Sequence, residues 1–162
     1  MELLDFETNF ESATKTFLGT DLSSFSSLQY VSSLDQTEFT VPRIEINAEL
    51  QGAEDPPTFN SDENIVYSKY SLNYALRIIT DASDDRNIAS SGLSSAEFHR
   101  RIRREVRQSM LLNSTNFTST NLEYYTVRYM RPLATEYEVD GDLFISTLNY
   151  EIKFTINPDA WD

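Results

Sequence analysis

The sequence predicts an α+β fold: a mainly antiparallel β-sheet packed on one face by two α-helices, in the order α-β-β-α-β-β-β. Two segments repeat apolar residues at steps of three and four, the spacing that puts side chains on one face of a helix. Several others alternate strictly between apolar and polar residues, as a half-buried strand does. The alternating segments outnumber the helical ones and follow one another at hairpin spacing, which favours antiparallel pairing.

The first helix is predicted over residues 3–17. Leu3, Phe6, Phe10, Ala13 and Phe17 share a face, Glu2, Asp5 and Glu7 sit at the positive end of the helix dipole, and Gly19 is placed to stop the helix. Residues 20–38 are rich in Ser and show no clean period; a loop with one short element is expected. A strand follows in which Ile44, Ile46, Ala48 and Leu50 alternate with Arg43, Glu45, Asn47 and Glu49, led by Pro42. Residues 51–64, acidic and carrying Pro56 and Pro57, are read as a long stiffened loop.

Residues 65–80 form a second strand, with Tyr70, Leu72, Tyr74, Leu76, Ile78 and Thr80 on one side. The second helix has the clearest start signal. Ser94 and Glu97 form a capping box, and Leu93 and Phe98 match a hydrophobic staple. Phe98, Ile102, Val106 and Ser109 mark its buried stripe, and it fades between Met110 and Asn113. After a polar loop at 113–121, three strands are predicted: one ending near Pro132, one from Leu133 to Val139, and one carrying Phe144, Leu148, Tyr150, Ile152, Phe154 and Ile156 on one face. Asp140-Gly141 is a tight hairpin turn.

The chain of 162 residues is read as a single domain, 1–162. Its 40% hydrophobic and 12% aromatic residues supply a core and argue against disorder. With no cysteine, disulfides, thiolate metal sites and cysteine nucleophiles are excluded. The N-terminus carries acids where a signal peptide carries Lys or Arg, and no apolar run approaches the roughly 20 residues of a membrane span. The Asn113-Ser114-Thr115 and Asn116-Phe117-Thr118 glycosylation patterns are then coincidences in a polar loop. The net charge of −13 opposes gripping nucleic acid or an anionic membrane. It does not oppose surrounding DNA that must slide past.

The catalytic inventory is thin, and no enzyme activity or cofactor is expected. His99 is the lone histidine, expected to be exposed on the helix surface. Asp81, Asp84 and Asp85 lack calcium-loop spacing, and the four glycines are isolated, which leaves no phosphate loop. The one unusual feature is a charge asymmetry. Arg100, Arg101, Arg103, Arg104 and Arg107 hold five of the 13 basic residues. At 100° per residue, Arg100, Arg104 and Arg107 centre opposite the buried stripe, and Arg101 and Arg103 flank it. Three readings stand: a solvated face paired with Glu97 and Glu105, a docking surface for an acidic neighbour or second copy, or a phosphate-binding helix working against the surrounding negative field. The docking reading makes these five arginines the candidate interface.

The element order, the proline-led strand Thr40-Val41-Pro42-Arg43-Ile44-Glu45-Ile46, the strand Tyr70–Thr80 before a central helix, and the closing hairpin at Tyr137–Phe144 with Leu148–Ile156 resemble the tail terminator (tail completion, minor tail) proteins of long-tailed phages. The resemblance runs from about Phe39 onward and is one of pattern. It implies a virion protein assembled in the host cytoplasm: a homohexameric ring that caps the last tail-tube ring and offers a surface to the neck or head. Its partners would be its own copies, the tail tube protein and a neck or head-completion protein, with DNA only as passing cargo and no membrane. The Ser-rich segment and the 51–64 loop depart from the shortest family members. The alternatives are another neck or head–tail connector ring, and a monomeric module that binds a small or peptide ligand through Tyr67, Tyr70, Tyr74, Tyr125 and Tyr129.

Overall fold

In a computed structural model the described residues are 4–32, 40–53, 58–59, 65–82, 92–114 and 125–156. In chain order they form α1 (Leu4–Asp21), β1 (Gln29–Ser32), β2 (Arg43–Ala53), β3 (Thr58–Phe59), β4 (Ile65–Asp81), α2 (Ser95–Leu112), β5 (Tyr125–Asp140) and β6 (Leu143–Ile156). Among these residues the sheet runs β1-β2-β4-β6-β5, with β3 paired to β4 beside that path. β2, β4, β6 and β5 pair antiparallel, and β1 pairs parallel to β2, so the sheet is mixed.

Three expectations are corrected. The two strands expected around Pro132 are one strand, β5, with its register shifted between Pro132 and Thr135. A proline removes one ladder donor, and an edge strand with a bulge absorbs that loss without reversing the chain. The 51–64 segment is not all loop, since β2 continues to Ala53 and β3 lies within it; Pro56 and Pro57 fall outside the described residues. Gly19 does not end α1, which continues to Asp21, because one helical glycine costs only about 1 kcal/mol. The 20–38 segment does contain the expected short element, β1.

The core lies between the helices and one sheet face. α1 buries Phe6, Phe10, Ala13 and Leu18 against Ile44, Ile46, Leu72 and Phe154. Aromatic edges meet there: Phe6 and Phe10 lie 5.9 and 5.3 Å from the Phe154 ring. Tyr74 is buried in the same layer and needs a partner for its hydroxyl. It donates to the Phe10 carbonyl at 2.8 Å and also meets Thr14. This bond stitches α1 to the middle of the sheet, and burial raises the Tyr74 pKa. α2 packs Phe98, Ile102, Val106 and Met110 into the same core. Its start is as expected, with the Ser94 side chain accepting from the Glu97 amide. At its other end Asp21 Oδ2 accepts from Ser109 Oγ at 2.6 Å and Asn113 Nδ2 at 2.8 Å, which ties the two helices together.

The two sides of the sheet are finished differently. β1 pairs with β2 only from Arg43 to Ile46. Beyond it, carboxylates from α1 accept the β2 amides: Glu11 Oε1 from Ala48 at 3.0 Å and Glu7 Oε1 from Leu50 at 2.8 Å. Glu11 Oε2 also accepts from Ser32 Oγ at 2.5 Å. Side chains thus occupy donors that could template another strand. Replacing Glu11 with Ala leaves a buried amide without its acceptor. Glu11→Ala should destabilise the fold by about 1–3 kcal/mol in denaturant unfolding, and Glu11→Gln, which keeps an acceptor oxygen, by less.

Candidate interaction surface

The expected arginine cluster lies on α2, and the structure divides it into three parts. Arg100 and Arg104 are exposed on the outward side, where Arg104 pairs locally with Glu105 at 3.2 Å. Arg101 leans the other way and lies over the Phe25 ring at 5.8 Å. Arg103 and Arg107 turn toward the hairpin of β5 and β6. Arg103 Nη1 donates to Ser146 Oγ at 3.4 Å and its guanidinium sits 6.0 Å from the Tyr137 ring. Arg107 Nη2 donates to Thr135 Oγ1 at 3.0 Å. Burial, followed by the like charges of Arg107 and Arg100, lowers the Arg103 pKa. Arg107 was expected on the far side of the helix and instead reaches a strand.

Its reach is possible because α2 stops short of β5. The helix-side positions of β5 are those paired with the helix-side positions of β6: Met130 with Ile152, Pro132 with Tyr150, Thr135 with Leu148, Tyr137 with Ser146, and Val139 with the half-buried Phe144. From Arg131 to Asp142 every residue is exposed. Tyr137, Val139 and Leu133 are large apolar groups in that stretch, and Leu111 at the end of α2 is 73% exposed. Between helix and strand lies a groove of about 230 Å³. Arg107 and Leu111 form one wall, Met130, Pro132 and Leu133 the other, and Leu148 and Tyr150 the floor. Arginine and aromatic or aliphatic groups around an apolar pocket are the composition of protein interfaces.

The opposite sheet face is of another kind. Arg77 bridges Glu45 at 3.8 Å and Glu138 at 3.4 Å, and Glu151 takes Arg131 at 2.8 Å and the Tyr129 hydroxyl at 3.0 Å. That Tyr129 bond, then Arg131 and Lys153, lower the Glu151 pKa against its desolvation. A hollow of about 360 Å³ there is lined by Asn47, Glu49, Asn73, Glu136 and Asn149. This face pairs its charges internally, whereas α2 carries five arginines against two glutamates.

The tyrosines expected to line a ligand platform do not share a face. Tyr74 is buried beneath α1 and Tyr70 stacks on Phe154 at 5.8 Å. Tyr129 lies on the opposite face, paired with Lys153. The side chains of Tyr67 and Tyr125 lie outside the described residues, as do Asp84 and Asp85. Among the described residues no cluster of three metal-ligating side chains occurs, and no helix is long and apolar enough to cross a membrane.

His99 overturns its expectation. It is 2% exposed, with Thr80 Oγ1 2.7 Å from Nδ1 and Ser146 Oγ 2.8 Å from Nε2. The Tyr137 and Phe144 rings meet it edge-on. The signal was present in the spacing: His99 stands three before Ile102 and seven before Val106, on the buried stripe. Two hydroxyls satisfy a neutral imidazole, since each can donate or accept. Ser146 is itself fully buried, so this serine–histidine pair faces packing rather than solvent. Burial, then the Arg103 charge, lowers the His99 pKa to about 4.

The sign of the pH dependence follows. The folded state resists protonation, so the stabilising share of His99 is complete above its unfolded pKa of about 6.5 and is lost as pH falls toward 4. Wild type should lose about 1–3 kcal/mol more than His99→Gln between pH 7 and pH 4 in urea unfolding. Equal losses would assign the acid sensitivity to other groups.

No protein-family model matches the sequence, and no curated protein matches it. Among solved structures, the chain is similar to one chain in the virion of a native gene transfer agent (GTA) particle. The TM-score is 0.54 with 10% identity, and the match covers 94% of each chain. At that identity the likeness establishes a shared fold.

Proposed function

We propose that this chain is a structural subunit of a phage-like virion, which forms a ring that ends the tail tube and joins it to the neck or head. The observation that carries this reading is the fold shared over 94% of both chains with a component of a gene transfer agent virion. The surface agrees with it. An uncovered strand, an apolar groove and an arginine-rich helix suit subunit contacts. The role needs no catalysis and no cofactor. A net charge of −13 suits a wall past which DNA slides, because it offers the phosphate backbone little to hold. The partners are further copies of the chain, six to a closed ring in the tail-terminator pattern, the tail tube protein, and a neck or head-completion protein.

A deletion in the particle-producing host tests this. Electron microscopy of the deletion should show tubes of unregulated length without heads, and mass spectrometry should find the chain in wild-type particles. Tubes of normal length that fail to join heads would move the chain to the connector ring. Normal joined particles, or wild-type particles lacking the chain, would overturn the reading.

A further inference from the structure

The tip of the hairpin between β5 and β6 is acidic. Glu138, Asp140 and Asp142 are all exposed there, and Val139 between them is 57% exposed. The turn is tight, with Gly141 at φ 57°, a left-handed backbone that glycine adopts without strain. It is also held in place: the Ala82 amide donates to the Asp142 carbonyl at 2.6 Å. A fixed, acidic point with one apolar side chain is the complement of the groove between α2 and β5, where Arg107 stands over Met130, Leu133 and Leu111.

The two features cannot meet within one molecule. Asp140 lies five residues along β5 from Thr135 at the groove, roughly 17 Å at the rise of a strand. Both positions belong to a strand paired to β6 along this stretch, so the tip cannot bend back. Their match is between different places on the surface, which makes the contact heterologous: tip of one copy to groove of the next. Contacts of that type generate rings when the rotation closes.

Resting on the self-assembling virion reading above, we infer that the Glu138–Asp142 hairpin tip of one subunit docks into the groove between α2 and β5 of a second copy. Val139 enters the apolar groove and the Asp140 and Asp142 carboxylates meet Arg107 on its wall. The two features separate the roles of the arginines. Arg103 lies against Tyr137 and Arg101 over Phe25, Arg104 pairs with Glu105 on the outward side, and Arg107, held at the groove wall by Thr135, is the one that meets the tip. The opposite side of the sheet does not compete as an edge, because Glu7 and Glu11 already take its amides.

The absence of cysteine gives a clean test. Leu111→Cys and Val139→Cys are introduced together and separately into the full chain. Each is assayed in solution and on particles under mild oxidation. The double variant should give a ladder of covalent oligomers that ends in a closed species and collapses on reduction. Each single variant should remain monomeric in denaturing gels, and an equal mixture of the two singles should give dimers only. Both sites are exposed, and thermal melts matching wild type confirm that the variants fold. Dimers from either single variant would mean like-with-like pairing and overturn the inference. An assembled ring without crosslinks would overturn it too, while leaving the virion reading intact. No assembly in solution or on particles would sink both.

Discussion

Two helices are too narrow for this sheet. Packed helices sit about 8–10 Å apart, and strands repeat at about 4.8 Å, so two helices side by side cover roughly four strands. The path β1-β2-β4-β6-β5 is five strands wide. α1 lies over the β1 side and α2 over β4 and β6, and the width runs out before β5. The exposure of Tyr137 and Val139, the groove beside Leu111 and the reach of Arg107 to Thr135 all follow from that shortfall.

The chain treats its two borders in opposite ways. On the β2 side, carboxylates from α1 occupy outward amides and a short parallel strand covers the rest. On the β5 side, Pro132 and the bulge beside it blunt the middle of the strand, yet its helix-side apolar groups remain in water. A border capped at one end and left apolar at the other fits a subunit that docks through one side. The electrostatics run in the same direction. The uncovered sheet face pairs Arg77 and Arg131 with glutamates, and the unmatched positive charge collects on α2, next to the uncovered strand.

Much of this was legible in the sequence, and the failures have physical causes. The Ser94 N-cap, the Asp140-Gly141 turn and the alternation of β4 and β6 are local signals, and each appears where expected. Pro132 reads as a stop, because sequence alone does not say that its strand lies at an edge, where a missing donor is tolerated. His99 was placed in solvent because it stands among arginines, although its spacing to Ile102 and Val106 is that of the buried stripe. What buries it is a pair of hydroxyls, Thr80 and Ser146, 19 and 47 residues away. Long-range polar partners of this kind leave no local trace. The arginine cluster was visible, but not its division, since the direction of Arg103 and Arg107 depends on where β5 lies.

Hydrogen exchange in the free chain and in the assembled particle tests most directly whether the strand beyond the helices is an interface. Assembly should slow exchange in β5 from Leu133 to Asp140 and in the last two turns of α2, with β2 unchanged. Undiminished exchange along β5 in the particle, with new protection confined to α1 or the opposite sheet face, would contradict the account.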